Sequence, residues 1–163
     1  MKLIFLVLLF PVLSASAQSR FDQKITEAAK HMVCPQPDES NPVTLNVRSV
    51  NDGDSIGIIV KVALAPGWHI YAYVPPIEPY IAIDHILQLP QNVKVIGDWQ
   101  KSEPSALSDN PGVLIYENDA LFIHKAVKLQ EVKAKGTMKA GLYYQTCNLR
   151  QCLPPNEKTI ELK

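Results

Sequence analysis

The sequence predicts an all-β protein, a sandwich of two antiparallel sheets preceded by one short helix. From residue 43 onward, apolar and polar residues alternate with a period of two in most runs, which is typical of half-buried strands. Pro, Gly, Asn or Asp residues separate most of these runs, and such residues favour turns. Only one segment, near the N-terminus, has the spacing of an amphipathic helix. Many short strands joined by turns favour a sandwich.

Residues 1–17 are predicted to be a signal peptide. They contain Lys2, an apolar run over residues 3–13 and a final Ala-Ser-Ala triplet, so cleavage is expected after Ala17. The apolar run is shorter than the roughly 20 residues that span a bilayer, and no Cys for a lipid anchor lies at its end. We therefore expect an exported, periplasmic protein in an oxidising compartment, where disulfides persist.

Residues 18–42 are predicted to contain a short helix and a proline-rich linker. The helical spacing runs from Phe21 to Met32 and gives one apolar face, as in an amphipathic helix. The following "CPQPDESNP" contains three prolines, which cannot continue a helix and favour an extended chain. The apolar face comprises Phe21, Ile25, Ala28, Ala29 and Met32.

Residues 43–163 are predicted to form the sandwich domain. It begins with two alternating runs, "VTLNVRSV" and "SIGIIVKVAL", joined by the turn-forming "NDGD" at residues 51–54, which predicts a β-hairpin. A chain of this length is expected to form one domain. The further strand candidates are residues 68–73, 81–89, 113–116, 121–129, 138–146 and 159–162.

Two stretches do not have a strand pattern. Residues 74–80, "VPPIEPY", are rich in proline and are expected to cross an edge of the sandwich. Residues 97–112 are mostly polar, with Trp99 near their start, and are expected to form a long loop. Loops of this length in compact domains are often lids or binding loops.

The charge pattern excludes two classes of partner. The formal net charge is zero, and no basic patch or polybasic stretch predicts binding to nucleic acid or insertion into a membrane. The function is therefore sought in local chemistry. The histidines of the strand runs, His69, His85 and His124, are mostly on the polar side and are expected at the surface.

The chemistry centres on two cysteines near the C-terminus, Cys147 and Cys152. If the chain turns between them, they face each other across a hairpin at about 4.5 to 5.5 Å between Cα atoms, which suits a disulfide. Closing so small a ring contributes only about 2 kcal/mol, so a structural bridge and a redox pair both remain open. A third interpretation, in which the two cysteines are free thiols that bind a metal, is less favoured because no histidine lies nearby in sequence. Cys34 is the cysteine left over.

Two features beside the pair bear on its reactivity. Arg150, between the cysteines, is either a solvated loop charge or a group that stabilises a neighbouring thiolate. Pro154 and Pro155 cannot donate hydrogen bonds to a strand ladder. We therefore expect strand pairing to end after Cys152, which would expose its sulfur.

The segment "YYQTCNLRQCLPP" at residues 143–155 resembles the active-site segment of the N-terminal periplasmic domain of DsbD-type thiol:disulfide interchange proteins. In that family a Tyr-Gln pair precedes the first Cys and a Pro-Pro pair follows the second. Upstream, "APGWHIYAY" at residues 65–73, "LPQNV" at residues 89–93 and "KSE" at residues 101–103 also resemble family motifs. The resemblance runs from about residue 43 to residue 163.

The resemblance implies an immunoglobulin-like sandwich that relays reducing equivalents by thiol exchange, as a protein-disulfide reductase without a cofactor or metal. Its expected partners are a separate membrane-embedded thiol reductase and thioredoxin-like periplasmic proteins. The family's roles carry over to Cys152, which forms the mixed disulfide, and to Cys147, which resolves it. Trp99 matches an aromatic cap, and Trp68 and Tyr71 match site-lining rings more loosely. The alternative is an exported immunoglobulin-like binding module with a purely structural disulfide.

Overall fold

The computed structural model describes residues 19–130, 132–133 and 135–162. The predicted signal peptide, residues 1–17, lies outside the described residues. Within the described ranges, no helix is long and apolar enough to cross a bilayer. The elements are α1 (Arg20–Lys30), β1 (Val43–Asp52), β2 (Ser55–Leu64), β3 (His69–Tyr73), β4 (Asp84–Gln88), β5 (Val93–Lys101), β6 (Ser105–Leu107), β7 (Asn110–Glu117), β8 (Asp119–Lys128), β9 (Met138–Tyr144), β10 (Thr146–Cys147) and β11 (Asn156–Leu162).

The first layer is a four-stranded antiparallel sheet in the order β1-β2-β8-β5. The predicted hairpin is confirmed: β1 pairs with β2 from Val43 opposite Leu64 to Asp52 opposite Ser55. Its turn contains Gly53 with φ +60°, a left-handed conformation that glycine adopts without steric cost. The long β2 then pairs with β8, so β2 lies in the middle of the layer.

Helix α1 covers the outer face of this first layer. The Ser19 side chain accepts a hydrogen bond of 3.1 Å from the Asp22 backbone N–H and caps the helix. The helix packs Ile25 and Ala29 against Ile59 of β2, which is fully buried. Because both faces of β2 are covered, its central residues form a continuous buried run rather than an alternating one.

The second layer consists of two shorter antiparallel sheets, in the orders β11-β9-β4 and β10-β3-β7-β6. The predicted strand over residues 138–146 is interrupted at Gln145, so β9 belongs to one of these sheets and β10 to the other. The main core lies between the layers. It includes Ile58 and Val60 of β2, Phe122 of β8 and Leu142 of β9, all fully buried.

This arrangement confirms the predicted antiparallel, immunoglobulin-like sandwich with one short N-terminal helix. The expected loop over residues 97–112 is wrong, because β5, β6 and β7 occupy most of it. The alternating pattern is absent there because β5 is an edge strand that exposes most of its residues. Its pairing with β8 also shifts register between Ile96 and Gln100, beside Gly97 with φ +69°.

Candidate functional site

Cys147 and Cys152 form a disulfide, with 4.0 Å between their Cα atoms. They face each other as an antiparallel bridge, as the spacing predicted, but their Cα atoms are closer than the predicted distance of about 4.5 to 5.5 Å. Their environments differ strongly. Cys147 lies in β10 and is only 2% exposed, whereas Cys152 follows the turn and is exposed. The expected exposure of Cys152 is thus confirmed, and Cys152 is the more accessible of the two cysteines.

The turn between the cysteines is held by Asn148. The Asn148 side-chain oxygen accepts hydrogen bonds from the backbone N–H groups of Arg150 (2.8 Å) and Gln151 (2.9 Å), which is an Asx turn. The Asn148 N–H donates to the Gln151 carbonyl at 2.9 Å. These bonds fix the backbone of the ring independently of the disulfide.

Tyr71 is the aromatic residue beside the exposed sulfur. Its hydroxyl oxygen lies 3.9 Å from Cys152 Sγ. Because side chains alternate along a strand, Ile70 points into the main core while Tyr71 packs on the opposite face of β3. Burial raises the pKa of Tyr71 to about 12, so the hydroxyl keeps its proton at neutral pH and can donate a hydrogen bond.

Tyr80 was not singled out from the sequence, yet its ring stacks on that of Tyr71 at 4.7 Å between centroids. It ends the proline-rich segment, residues 74–80, which a hydrogen bond of 3.0 Å from the Ile81 N–H to Gln145 Oε1 ties to the cysteine strand. Gln145 is the Gln of the "YQTC" motif. A Tyr close after a Pro-rich turn was the only signal in the sequence that could have indicated this contact.

His69 is a neighbour of both Cys147 and Tyr71. It pairs with Cys147 across the strands, and its ring meets the edge of Tyr71 at 5.1 Å. The residue is only 8% exposed, so the expectation of a surface histidine is wrong here. Burial lowers the pKa of His69, and the nearby Glu117 carboxylate opposes this shift.

Trp68 is buried immediately before β3. Its indole N–H donates to Glu39 Oε2 at 3.2 Å, and the residue is 1% exposed. Glu39 belongs to the linker that precedes the sandwich. The described contacts therefore give Trp68 a packing role that fastens the linker, and its predicted place beside the disulfide stays a prediction.

Trp99 lies in β5 and packs against the main core. Its ring stacks on His85 at 4.6 Å and meets the edge of His124 at 4.8 Å, and His85 also contacts Phe122. We call these four residues the Trp99 cluster. Among the described residues, no contact joins Trp99 to the disulfide. His124 is buried and His85 half-buried, so both were wrongly expected at the surface.

Cys34 remains a free thiol. Its Sγ donates to the Lys61 carbonyl at 3.3 Å, and burial raises the pKa of this thiol. A raised pKa means less thiolate at neutral pH, so Cys34 is a weak nucleophile. The redox chemistry therefore concentrates at the other two cysteines.

The comparisons with known proteins agree with this geometry. The family model described as "Thiol:disulfide interchange protein DsbD, N-terminal" matches residues 20–163, so the match includes α1 and the linker. No curated protein matches the chain.

Three solved structures are similar. The N-terminal periplasmic domain of ScsB from Proteus mirabilis is 19% identical with a TM-score of 0.53, covering 79% of this chain and 49% of that one. This chain thus spans about half the length of that structure. The reduced DsbD N-terminal domain from Neisseria meningitidis is 19% identical with a TM-score of 0.40, covering 72% of this chain and 83% of that one. A complex of the DsbD and PilB N-terminal domains from Neisseria meningitidis is 15% identical with a TM-score of 0.48, covering 76% of this chain and 84% of that one. The similarity to the ScsB domain shows that this chain has the same fold.

Proposed function

Because the chain belongs to the family of the N-terminal domain of the thiol:disulfide interchange protein DsbD, we propose that it exchanges thiols and disulfides through Cys147 and Cys152. In this function it receives reducing equivalents from a membrane-embedded thiol reductase and passes them to thioredoxin-like proteins in the periplasm. The predicted signal peptide provides its export. The sulfurs carry the electrons, so the reaction needs no cofactor.

The observation that carries the proposal is the unequal exposure of the two cysteines. A partner thiol or disulfide must approach the attacked sulfur closely, since the new S–S bond is about 2.05 Å long. Cys152 is exposed and Cys147 is 2% exposed. We therefore assign the intermolecular bond to Cys152 and the intramolecular bond to Cys147, as the family resemblance implies.

The reaction proceeds in two exchange steps. The Cys152 thiolate attacks the disulfide of an oxidised partner, forming a mixed disulfide and releasing one partner thiolate, which takes up a proton. Cys147 then loses its proton and attacks Cys152 Sγ, which releases the second partner thiol. The partner gains two electrons and two protons, and Cys147 and Cys152 are left as the disulfide. Reversal of the same steps with a membrane dithiol restores the reduced pair.

The Tyr71 hydroxyl is placed to assist the first step. At 3.9 Å from Cys152 Sγ, it can donate to the thiolate once the disulfide has opened. A hydrogen bond to the charged form lowers a thiol pKa and increases the thiolate fraction. Tyr80 stacks on Tyr71 and restrains its ring. Both tyrosines therefore act on Cys152, and Tyr80 acts only through Tyr71.

Single-cysteine variants test the assignment. The Cys152→Ala variant should not reduce an oxidised thioredoxin, whereas the Cys147→Ala variant should accumulate a mixed disulfide that resists alkylation and is released by dithiothreitol. If both variants still reduced thioredoxin, the proposal would be wrong. A reduction potential below roughly −300 mV would instead indicate a structural disulfide and favour the binding-module alternative.

A further inference from the structure

We propose that Leu149 and Ile77 are the two apolar contacts through which a thioredoxin-like redox partner docks beside Cys152. This inference rests on the proposed function and adds the surface that selects the partner. Both side chains are almost completely exposed, at 94% for Leu149 and 91% for Ile77. Leu149 lies on the cysteine turn, and Ile77 lies on the proline-rich segment, which Tyr80 joins to Tyr71 beside Cys152.

Leu149 lies inside the disulfide ring itself. The Asx turn of Asn148 holds the backbone on both sides of it, and the Asn148 N–H to Gln151 carbonyl bond closes the turn. An apolar side chain on a fixed backbone loses little conformational freedom when a partner covers it. In the free protein this apolar side chain is in contact with water, which is unfavourable. Docking would remove that contact.

Ile77 is held in a comparable way by the proline-rich segment. It occupies a turn closed by a hydrogen bond of 3.0 Å from the Glu78 N–H to the Pro75 carbonyl, with Pro76 at the position where proline favours a turn. The Glu78 carboxylate accepts a 2.7 Å hydrogen bond from the Asn110 side chain. The segment ends at Tyr80, which stacks on the ring beside Cys152.

The chemistry requires this surface to be covered during exchange. A mixed disulfide holds the partner within bonding distance of Cys152 Sγ, so the cysteine turn is buried against the partner. In this proposal the partner extends from there over the proline-rich segment, which Tyr80 and Tyr71 connect to Cys152. Apolar residues in the middle of an interface contribute most of its binding energy, with a polar rim around them. The rim is present beside Leu149, where Glu39 and Arg150 border a depression of about 300 Å³.

The matching partner has an apolar surface next to its own redox cysteine. A partner with a charged surface there would lose the hydration of its charges against Leu149 and Ile77 and gain no hydrogen bond or ion pair in return. The two side chains therefore select against such partners. A thioredoxin-like protein that presents small apolar groups around its active-site cysteine fits this requirement. The two side chains thus act as specificity contacts, while Cys147 and Cys152 perform the chemistry.

The test uses the variants Leu149→Ser and Ile77→Ser, singly and together, in the full mature chain. The matched control is Val33→Ser, because Val33 is 77% exposed and the variant keeps the Val33 carbonyl that accepts a hydrogen bond from the Asn46 side chain. Two rates are measured for each protein: reduction of oxidised thioredoxin by the reduced variant, and reduction of the oxidised variant by dithiothreitol.

We expect each single change to slow the thioredoxin reaction at least about fivefold, the double change to slow it further, and the dithiothreitol rate to stay unchanged. The control should match the wild type in both reactions. Equal thioredoxin rates for wild type and both variants would overturn the docking surface and leave the exchange function standing. A parallel loss with dithiothreitol, or an equal loss in the control, would also overturn it. Failure of the wild type itself to reduce thioredoxin would instead refute the proposed function.

Discussion

Two aromatic groups in this sandwich look alike in composition but occupy different environments. At the disulfide, Tyr71 and Tyr80 stack beside an exposed sulfur. In the Trp99 cluster, Trp99 packs with His85 and His124 against the main core. Both groups combine rings with a buried histidine. Only the first has a hydroxyl that reaches a reactive atom.

The difference comes from the strand that carries each ring. Tyr71 lies in β3, which pairs directly with the cysteine strand β10, whereas Trp99 lies in β5, which pairs only with β8 at the edge of the other sheet. A ring therefore affects the disulfide through strand pairing, and its aromatic character alone does not indicate a role.

The largest effect is expected from Trp99→Ala. Loss of this half-buried ring removes its contacts with two histidine rings and should lower the free energy of unfolding by about 3 kcal/mol. Urea unfolding followed by circular dichroism measures this loss. The rate of disulfide reduction by dithiothreitol should not change in buffer. A faster reduction would mean that Trp99 covers the disulfide, as the resemblance implied.

A pH effect is expected from His85 in the same cluster. Burial, with a smaller contribution from the positive charge of Lys101, lowers the pKa of His85 to about 4, while Asp84 opposes the shift and His124 adds to it. The unfolded chain takes up this proton near pH 6.5, so stability is lost as the pH falls from about 6.5 to about 4. The loss should be about 1 to 3 kcal/mol after screening by solvent.

The His85→Phe variant isolates this contribution, because phenylalanine keeps a ring against Trp99 and cannot titrate. Unfolding in urea at pH 7.5 and pH 4.5 should show a smaller loss of stability for the variant than for the wild type. Equal losses in the two proteins would show that His85 does not titrate with folding. The disulfide exchange rate at pH 7.5 should be the same in both.

At the disulfide, Tyr71→Phe should slow exchange by about tenfold at neutral pH. The change removes a hydrogen-bond donor to a thiolate, and bonds to charged groups contribute about 1.5 to 3 kcal/mol, part of which water replaces. The pH profile of the exchange rate should shift to higher pH because the pKa of Cys152 rises. Tyr116→Phe is the matched control, since Tyr116 is buried on the opposite face of the same sheet. A tenfold loss in both variants would indicate disturbed packing instead.

The smallest effect is expected from Glu39→Gln. The hydrogen bond from Trp68 loses its charged acceptor, and stability should fall by about 1 kcal/mol or less. Exchange with dithiothreitol should not change, because Glu39 bonds to the Trp68 indole and no described contact joins its carboxylate to either sulfur. A changed rate would place Trp68 among the residues that act on the cysteines.

Much of this architecture follows from local sequence signals. Alternating runs predicted the β1–β2 hairpin because a half-buried strand requires that pattern. The cysteine spacing predicted the opposed pair because two residues that flank a tight turn must face each other. Both features join segments that are neighbours along the chain.

What the sequence did not reveal depends on contacts between distant segments. Strand β5 was expected to be loop because an edge strand that faces solvent carries no apolar alternation. Tyr80 was missed because its contact with Tyr71 depends on how a proline-rich turn crosses the sheet. His124 was expected at the surface, since the rings around it come from other strands.

The small size of the disulfide ring has a consequence for the redox balance of the protein. The ring encloses only the residues of one turn, whose backbone is already fixed by Asn148, and its closure contributes only about 2 kcal/mol to the fold. Folding and oxidation form a thermodynamic cycle, so the fold can favour the oxidised state by no more than that same amount. The scaffold therefore shifts the balance between the dithiol and the disulfide by only a modest amount, so the direction of exchange is decided mainly by the partner.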